Sequence, residues 1–171
     1  MVKQIRDIIT TLLAALVIFV IIQLTIGSFK VYGLSMLPSV YEGDYILVNK
    51  ASYVFTEPER GEIIVFRSPR NPESDLIKRI IALPGETVEI KGGKVFIDGS
   101  PLTEQYVMES CKYEMPPQEV PADHYFVLGD NRNNSADSHN GWFVPLSNII
   151  GKAWFNYWPP QNWRPVANTV P

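Results

Sequence analysis

A serine in a short turn-forming segment is the first residue whose surroundings favour chemistry. Ser35 lies in the run Gly33-Leu34-Ser35-Met36-Leu37-Pro38. Glycine permits close approach of the backbone and proline fixes a turn, so this hydroxyl can meet an extended peptide. The run does not follow the Gly-x-Ser-x-Gly pattern of the hydrolase nucleophile elbow. A serine hydroxyl also needs an adjacent base before it becomes a nucleophile, and the sequence must supply one.

The candidate bases are two histidines and one lysine. His124 and His139 are the only histidines, and spacing alone excludes neither from a Ser-His-Asp triad. Lys78 lies in the apolar run 76–81, where burial would disfavour the ammonium and lower the pKa of the amine. Arg79 lies on the opposite face of the same predicted strand, so periodicity does not choose between the two cations. A guanidinium stays protonated and cannot act as a base, which favours Lys78.

A dense polar segment follows a predicted strand at 125–128. Residues 129–139 contain nine side chains that can form hydrogen bonds or carry charge. Ordinary surface turns use two or three such residues, so this density predicts an organised polar network. A solvated loop stabilised by Asx turns is the alternative, which the sequence leaves open.

The N-terminal region predicts a membrane anchor. Residues 8–29 form 22 consecutive positions without a charged residue. As a helix they would reach about 33 Å, enough for a hydrocarbon core of about 30 Å. Lys3 and Arg6 precede the run, which favours a cytoplasmic N-terminus at 1–7 and an extracytoplasmic domain. A cleavable signal sequence would have a shorter apolar core, and a buried core helix would need a larger surrounding protein.

The rest of the chain is predicted to be mainly β, as a folded sheet or barrel over residues 30–158. Short β-rich runs bounded by glycine or proline turns predict strands at 45–48, 63–66, 76–81, 87–90, 125–128 and 149–155. Gly92-Gly93 and Asp98-Gly99 predict tight hairpin turns. Residues 103–121 are predicted as a loop. The proline-rich tail at 159–171 is predicted to extend without a core of its own.

Composition excludes several classes of function. The 171 residues carry a net charge of −3, with one cysteine, Cys111, and two histidines. A nucleic-acid binder needs a basic footprint, so no nucleic-acid partner is predicted. One cysteine forms no disulfide within the chain, and neither a multi-thiolate nor a three-imidazole zinc site can be built. No metal or cofactor is therefore predicted.

Five segments in order resemble the sequence boxes of the bacterial type I signal peptidases, also called leader peptidases. A single box is common, but five in the same order are specific to this family. The resemblance spans about two-thirds of the chain, and an anchor precedes it in the expected place. The segments are Ser35 to Pro38, Gly43 to Lys50, Arg60 to Phe66, Lys78 to Glu86, and Gly129 to Ser138.

The resemblance implies a serine endopeptidase in which Ser35 is the nucleophile and Lys78 the general base. It implies that Ser135 orients the lysine amine and that Asp137 braces the site. The other positions that it assigns to support of the site are Gly33, Met36, Pro38, Gly129, Asp130, Asn131 and Arg132. The implied substrates are signal peptides of exported preproteins, cut after a small-x-small motif. The implied surroundings are the lipid bilayer of a bacterial membrane and the neighbourhood of the secretion translocon.

Three departures from the family pattern bear on the site. Gly33 stands where some members have a serine that contributes to the oxyanion hole, so backbone N–H groups are expected to carry that role. His139 stands where many members have arginine, which would make its contact with Asp137 depend on pH. The Trp-Gly order that the family has after the polar segment is reversed here, as Gly141-Trp142.

Two competing functions are another Ser-Lys protease, of the pilin-processing or self-cleaving kind, and a catalytically silent membrane-anchored binding module.

Overall fold

The computed structural model describes residues 2–167 and begins with one long helix, α1, from Val2 to Thr25. The segment Lys3–Thr25 is long and apolar enough to cross a membrane, and none of its most apolar window is buried within the protein. The helix also includes Arg6 and Asp7, and so begins before the predicted span. Its 24 residues extend about 36 Å, slightly more than the hydrocarbon thickness of a bilayer.

The helix passes directly into the first strand. Strand β1, Ile26–Lys30, pairs antiparallel with β2, Tyr45–Asn49. Residues 26–29 therefore belong to the sheet, and their assignment to the anchor was wrong. Gly27 and Ser28 are poor helix formers, and pairing with β2 satisfies the backbone groups of this segment.

The remaining strands complete two sheets in the described part of the chain, which confirms the prediction of a mainly β fold. The further strands are β3 Ile63–Arg67, β4 Asp75–Ala82, β5 Thr87–Lys91, β6 Lys94–Ile97, β7 Ser100–Pro101, β8 Met115–Glu119, β9 His124–Leu128, β10 Val144–Pro145, β11 Ile149–Trp158 and β12 Arg164–Pro165. An eight-stranded sheet has the order β1-β2-β11-β3-β4-β9-β10, with β12 also paired to β11, and a four-stranded sheet has the order β7-β6-β5-β8.

Two segments depart from the predicted loops. β8 lies within the predicted loop 103–121 although it contains Pro116 and Pro117. Proline is tolerated there because β8 is an edge strand of its sheet. In the predicted free tail, β12 pairs with β11 and Val166 is buried in a core cluster. The tail therefore contributes to the core as far as it is described, and residues 168–171 of that prediction lie outside the described residues.

A buried ion pair joins β4 to the segment after β9. The Nε and Nη2 atoms of Arg79 donate to the two carboxylate oxygens of Asp130 at 2.8 and 2.7 Å, and both side chains are fully buried. Nη1 donates to the carbonyl oxygens of Gly61 and Ala167, and the guanidinium lies 3.9 Å from the ring centroid of Tyr106. Because the cation has hydrogen-bond acceptors on several elements, it fixes their relative positions.

We expect Arg79→Lys to destabilise the protein by about 2–4 kcal/mol, because lysine keeps the charge but loses the two-pronged contact in a buried site. Urea unfolding of the full chain in detergent micelles measures the change. Arg67→Lys, on the exposed end of β3, is the matched control and should stay within about 0.5 kcal/mol of the parent. Equal losses in the two variants would contradict the role given to Arg79.

Candidate active site

Ser35 and Lys78 meet although 43 positions separate them in the chain. The Nζ atom of Lys78 lies 2.7 Å from the Oγ atom of Ser35 and also donates to the carbonyl oxygen of Ile77 at 2.8 Å. A separation of about 2.6–3.2 Å is what direct proton transfer requires. The two side chains therefore have the geometry of a nucleophile and its base.

Burial sets the charge state of this lysine. The side chain of Lys78 is 4% exposed, and loss of hydration lowers the pKa of its amine from 10.5 to about 8. The carboxylates of Asp137 and Asp130 act in the opposite direction, because negative charge favours the ammonium. Desolvation is the larger effect, so about a tenth of the amine is neutral at pH 7 and able to accept a proton.

An apolar cleft of about 110 Å³ adjoins this pair. Ser35 and Lys78 both line it, so a group bound in the cleft would lie beside the reactive hydroxyl. The volume corresponds to roughly three or four water-sized groups, which fits small side chains. The apolar lining comes from β1 to β4 and the segment after β1, and consists of Phe29, Val31, Ile46, Val65, Leu76 and Ile77.

The segment after β9 holds the Ser35 turn by its backbone. Asn131 donates from its backbone N–H to the carbonyl oxygen of Ser35 at 3.0 Å and from its side-chain amide to that of Leu34 at 3.0 Å. A Cβ atom on Gly129 would lie 2.4 Å from the Ser35 carbonyl oxygen and 2.3 Å from the Ser135 hydroxyl. Glycine is therefore required at 129 for the two segments to approach this closely.

Asp137 and His139 brace the same segment. One carboxylate oxygen of Asp137 accepts from the backbone N–H of Gly129 at 2.9 Å. The other lies 2.6 Å from Nδ1 of His139, whose ring stacks on Tyr113 with centroids 4.2 Å apart. The expected contact between His139 and Asp137 is thus present, and its ionic character depends on protonation of the imidazole.

Arg132 forms a second buried ion pair with Glu104. Its two terminal nitrogens donate to the carboxylate oxygens of Glu104 at 2.8 and 2.5 Å, and its Nε donates to the carbonyl of Gly129 at 3.1 Å. Tyr106 donates its hydroxyl to the same carboxylate at 2.8 Å. Arg132 thereby ties the polar segment to the loop between the two edge strands β7 and β8.

Ser135 lies close to Gly129 and the Ser35 backbone but forms no hydrogen bond with the lysine. Its Oγ atom is buried and has no hydrogen-bond partner among the described residues. The amine of Lys78 bonds instead to Ser35 and to the Ile77 carbonyl. The contact that the resemblance implies between Ser135 and Lys78 is therefore not formed in this rotamer.

The remaining predicted residues shape the turn around the hydroxyl. Gly33 has a φ of +81°, which favours glycine over any residue with a side chain. Met36 is buried in a core cluster and anchors the turn, and Pro38 follows it. The ring of His124 bonds to the carbonyl of Ala122, whereas that of His139 bonds to Asp137. In the described structure neither histidine bonds to Ser35, so a Ser-His pair is not formed.

Four residues that organise the site were missed by sequence reasoning. Ser39 donates to Asp130 at 2.5 Å, and Tyr106 stacks on Arg79. Glu104 pairs with Arg132, and Tyr113 stacks on His139. Glu104, Tyr106 and Tyr113 lie in the segment predicted as a loop, where no periodicity marks a residue that folds back onto the site.

Comparison with known proteins gives consistent matches. The family described as "Signal peptidase, peptidase S26" matches residues 4–158. A signal peptidase I of Leptolyngbya laminosa is 49% identical over 132 residues, which cover 73% of this chain and 65% of that protein. The thylakoidal processing peptidase 1 of Arabidopsis thaliana is 43% identical over 146 residues, covering 80% of this chain and 42% of that protein. The chain thus spans less than two-thirds of the length of either relative.

A solved structure agrees with these matches. The crystal structure of a signal peptidase I from Enterococcus faecalis V583 superposes with a TM-score of 0.52 at 36% sequence identity. The superposition covers 57% of this chain and 97% of that one. The likeness therefore includes the fold as well as the sequence.

The lowered pKa of Lys78 predicts a pH-dependent cost in stability. Because the folded-state pKa lies below the ordinary value of 10.5, this cost is fully present below about pH 8 and disappears as the pH rises through 10.5. Lys78→Met removes the ionisable group. We therefore expect the stability of the variant relative to the parent to decrease by about 2–3 kcal/mol from pH 7 to pH 10.

Unfolding of both proteins in detergent micelles across this pH range measures the difference. Lys94→Met, on the exposed face of β6, is the matched control and should follow the parent at every pH. A Lys78→Met variant whose stability runs parallel to that of the parent would contradict the desolvation of this amine.

Proposed function

The chain belongs to the signal peptidase family, peptidase S26, and we propose that it is a membrane-anchored serine endopeptidase that removes signal peptides from exported preproteins. In this proposal Ser35 is the nucleophile and Lys78 the general base. The observation that supports it most directly is the 2.7 Å contact between the Ser35 hydroxyl and an amine whose pKa burial lowers to about 8. No cofactor takes part in the proposed reaction.

The first half-reaction transfers the acyl group of the signal peptide to the enzyme. The Ser35 hydroxyl donates to the lone pair of the neutral Lys78 amine, which takes the proton as the oxygen attacks the scissile carbonyl. The backbone N–H of Ser35 has no partner among the described residues, so it can donate to the oxyanion. The new ammonium then gives its proton to the leaving amine, which becomes the N-terminus of the mature protein.

The second half-reaction releases the signal peptide. The amine, neutral again, takes a proton from a water molecule that attacks the ester carbonyl, and the Ser35 oxygen recovers its proton from the ammonium. The same lysine therefore acts twice as base and twice as acid. A residue that alternates in this way needs a pKa near the working pH, as burial provides here.

The size of the cleft supports cleavage after small side chains. A cleft of about 110 Å³ with a mostly apolar lining accommodates small side chains such as that of alanine. Phe29 and Val31 line one part of the cleft, and Leu76 and Ile77 line another. An extended peptide between these segments would place alternate side chains in the cleft, as a small-x-small motif requires.

Ser135 is proposed to orient the amine after a change of rotamer. A neutral amine has two N–H donors, and when its lone pair accepts from the Ser35 hydroxyl only one of them is used, toward the Ile77 carbonyl. The Ser135 hydroxyl is buried without a partner in the described structure and lies in the same narrow space beside Gly129. Rotation toward Nζ would satisfy both groups. Asp137 would hold this arrangement in place through Gly129.

The anchor is proposed to place the domain on the extracytoplasmic side of a bacterial membrane, close to the secretion translocon. Lys3 and Arg6 precede the apolar part of α1, which favours a cytoplasmic N-terminus. Trp154 and Trp158 are more than half exposed on β11, as aromatic side chains at a membrane interface commonly are. Confinement of enzyme and signal peptide to one thin layer raises their effective concentration.

Cleavage of a preprotein by the full chain in lipid vesicles tests the proposal. Ser35→Ala and Lys78→Met should each reduce the cleavage rate by about a hundredfold to ten thousandfold, because each removes one partner of the proton transfer. Ser100→Ala, an exposed serine of β7, is the control and should cleave at the parental rate. Parental activity in Lys78→Met would refute the assignment of the base.

The pH profile of the same reaction should report the titration of Lys78. We expect kcat/KM to be constant above about pH 8 and to decrease about tenfold per pH unit below it, because only the neutral amine accepts the serine proton. Initial rates measured with one preprotein across this range give the profile. A rate that stays flat from pH 8 down to about pH 5 is incompatible with this lysine as the base.

A further inference from the structure

The two carboxylates that act on Lys78 have basic partners of different kinds. Burial lowers the pKa of Lys78 to about 8, whereas the carboxylate of Asp137 and, less strongly, that of Asp130 raise it. Asp130 is paired with the guanidinium of Arg79, which stays protonated in proteins. Among the described residues, the only basic side chain that pairs with Asp137 is the imidazole of His139. The carboxylate with the stronger effect on the lysine therefore has a partner whose charge depends on pH.

The backbone holds this imidazole against the carboxylate. Asp137 caps a short 3₁₀ helix, Ser138–Asn140, and one of its oxygens accepts from the backbone N–H of His139 at 3.3 Å. The same oxygen lies 2.6 Å from Nδ1 of the ring. An ionised carboxylate only accepts hydrogen bonds, so Nδ1 carries a hydrogen and donates it, and the proton that charges the ring binds at Nε2. The contact is therefore compatible with both charge states of the ring.

The packing around the ring favours a cation. The ring of Tyr113, from the loop between β7 and β8, stacks on the imidazole with centroids 4.2 Å apart. Burial raises the pKa of this phenol, so it stays neutral and presents its π face to the ring. The thiol of Cys111 is buried and interacts with the same phenol. The side chain of His139 is 20% exposed, so solvent protons can reach it.

The cations of neighbouring elements do not take the place of the imidazole. Arg70, from the loop between β3 and β4, donates to the carbonyl oxygen of Asn140 and forms no ion pair with Asp137. Its side chain is exposed, so its repulsion of a charged imidazole is screened by solvent. Arg132 is already paired with Glu104. The charge of Asp137 is thus balanced at close range only when the ring is protonated.

We propose that His139 helps to keep the base neutral in acid, because its protonated imidazole balances the charge of Asp137 and leaves less negative charge to hold the ammonium of Lys78. The inference rests on the proposed function, in which Lys78 is the general base. His139 bonds to neither Ser35 nor Lys78 and acts through Asp137, so it is a positioning residue. Proton uptake by the imidazole and by the amine oppose one another, because both cations depend on the same carboxylate.

The pH profile of kcat/KM separates this electrostatic role from structural support. His139→Asn keeps an N–H donor for Asp137 but carries no charge, and His139→Arg carries a permanent one. At the acid end of the profile we expect the asparagine variant to cleave about threefold to tenfold more slowly than the parent, because the uncompensated carboxylate raises the pKa of Lys78. The arginine variant should match the parent in acid and exceed it by a similar factor at higher pH, where the imidazole is neutral.

The parental profile should therefore pass from that of the asparagine variant to that of the arginine variant as the pH falls. The decrease of about tenfold per pH unit is offset by the same factor over the range in which the imidazole titrates. Initial rates with one preprotein, measured with the full chain in lipid vesicles from about pH 9 to about pH 5, give the three profiles. His124→Asn is the matched control and should follow the parent at every pH, because this histidine bonds to the carbonyl of Ala122 instead.

The possible outcomes distinguish this inference from the proposed function. An equal loss at every pH in His139→Asn would show a purely structural role and overturn the inference, as would an acid limb identical to that of the parent. The asparagine variant decides the matter alone if the larger arginine does not fit beside Tyr113. Activity retained in Lys78→Met, or a parental profile without an acid limb, would instead overturn the assignment of the base.

Discussion

The proposed chemistry depends on keeping one amine uncharged among acids. Loss of hydration lowers the pKa of Lys78 to about 8, while Asp137 and Asp130 favour its protonated form. The fold limits their effect by giving each carboxylate another partner. Asp130 is neutralised by the two-pronged contact of Arg79, and Asp137 accepts from the Gly129 backbone and contacts His139. The site can therefore contain two buried carboxylates that support its structure, while the pKa of Lys78 stays below its ordinary value.

The serine of the pair is positioned mainly by its backbone, and the lysine by its side chain. A serine side chain is short, so the reach of its hydroxyl is set by where the main chain lies. Asn131 fixes that main chain with two hydrogen bonds, and the absence of a Cβ atom at Gly129 lets the segments touch. Lys78 has a long side chain whose amine is directed by the Ile77 carbonyl. The polar segment after β9 thus acts chiefly as a support for the backbone.

Sequence reasoning succeeded where a local pattern determines a local structure. Strand alternation placed Lys78 and Arg79 on opposite faces, and the hairpin turn at Gly92-Gly93 has positive φ at both residues. It failed where distant partners decide. The absence of charge extended the predicted helix to residue 29, yet pairing with β2 makes Ile26–Lys30 a strand. The contact of Glu104 with Arg132 depends on how a loop folds back over 28 positions, which no local pattern encodes.

The connection between anchor and cleft constrains how a substrate can reach the site. β1 begins at the residue after α1 ends and pairs with β2 over its full length, so no flexible linker separates the helix from the sheet. Phe29 and Lys30 of this strand also line the cleft beside Ser35. In the proposed arrangement, one wall of the cleft is a direct continuation of the chain that leaves the membrane. A peptide emerging from the bilayer beside α1 would need only to extend along this strand to bring its backbone to the Ser35 hydroxyl. If α1 spans the bilayer as proposed, the fold itself would set the depth of the reactive group, through the pairing of β1 with β2 and the short turn that follows β1.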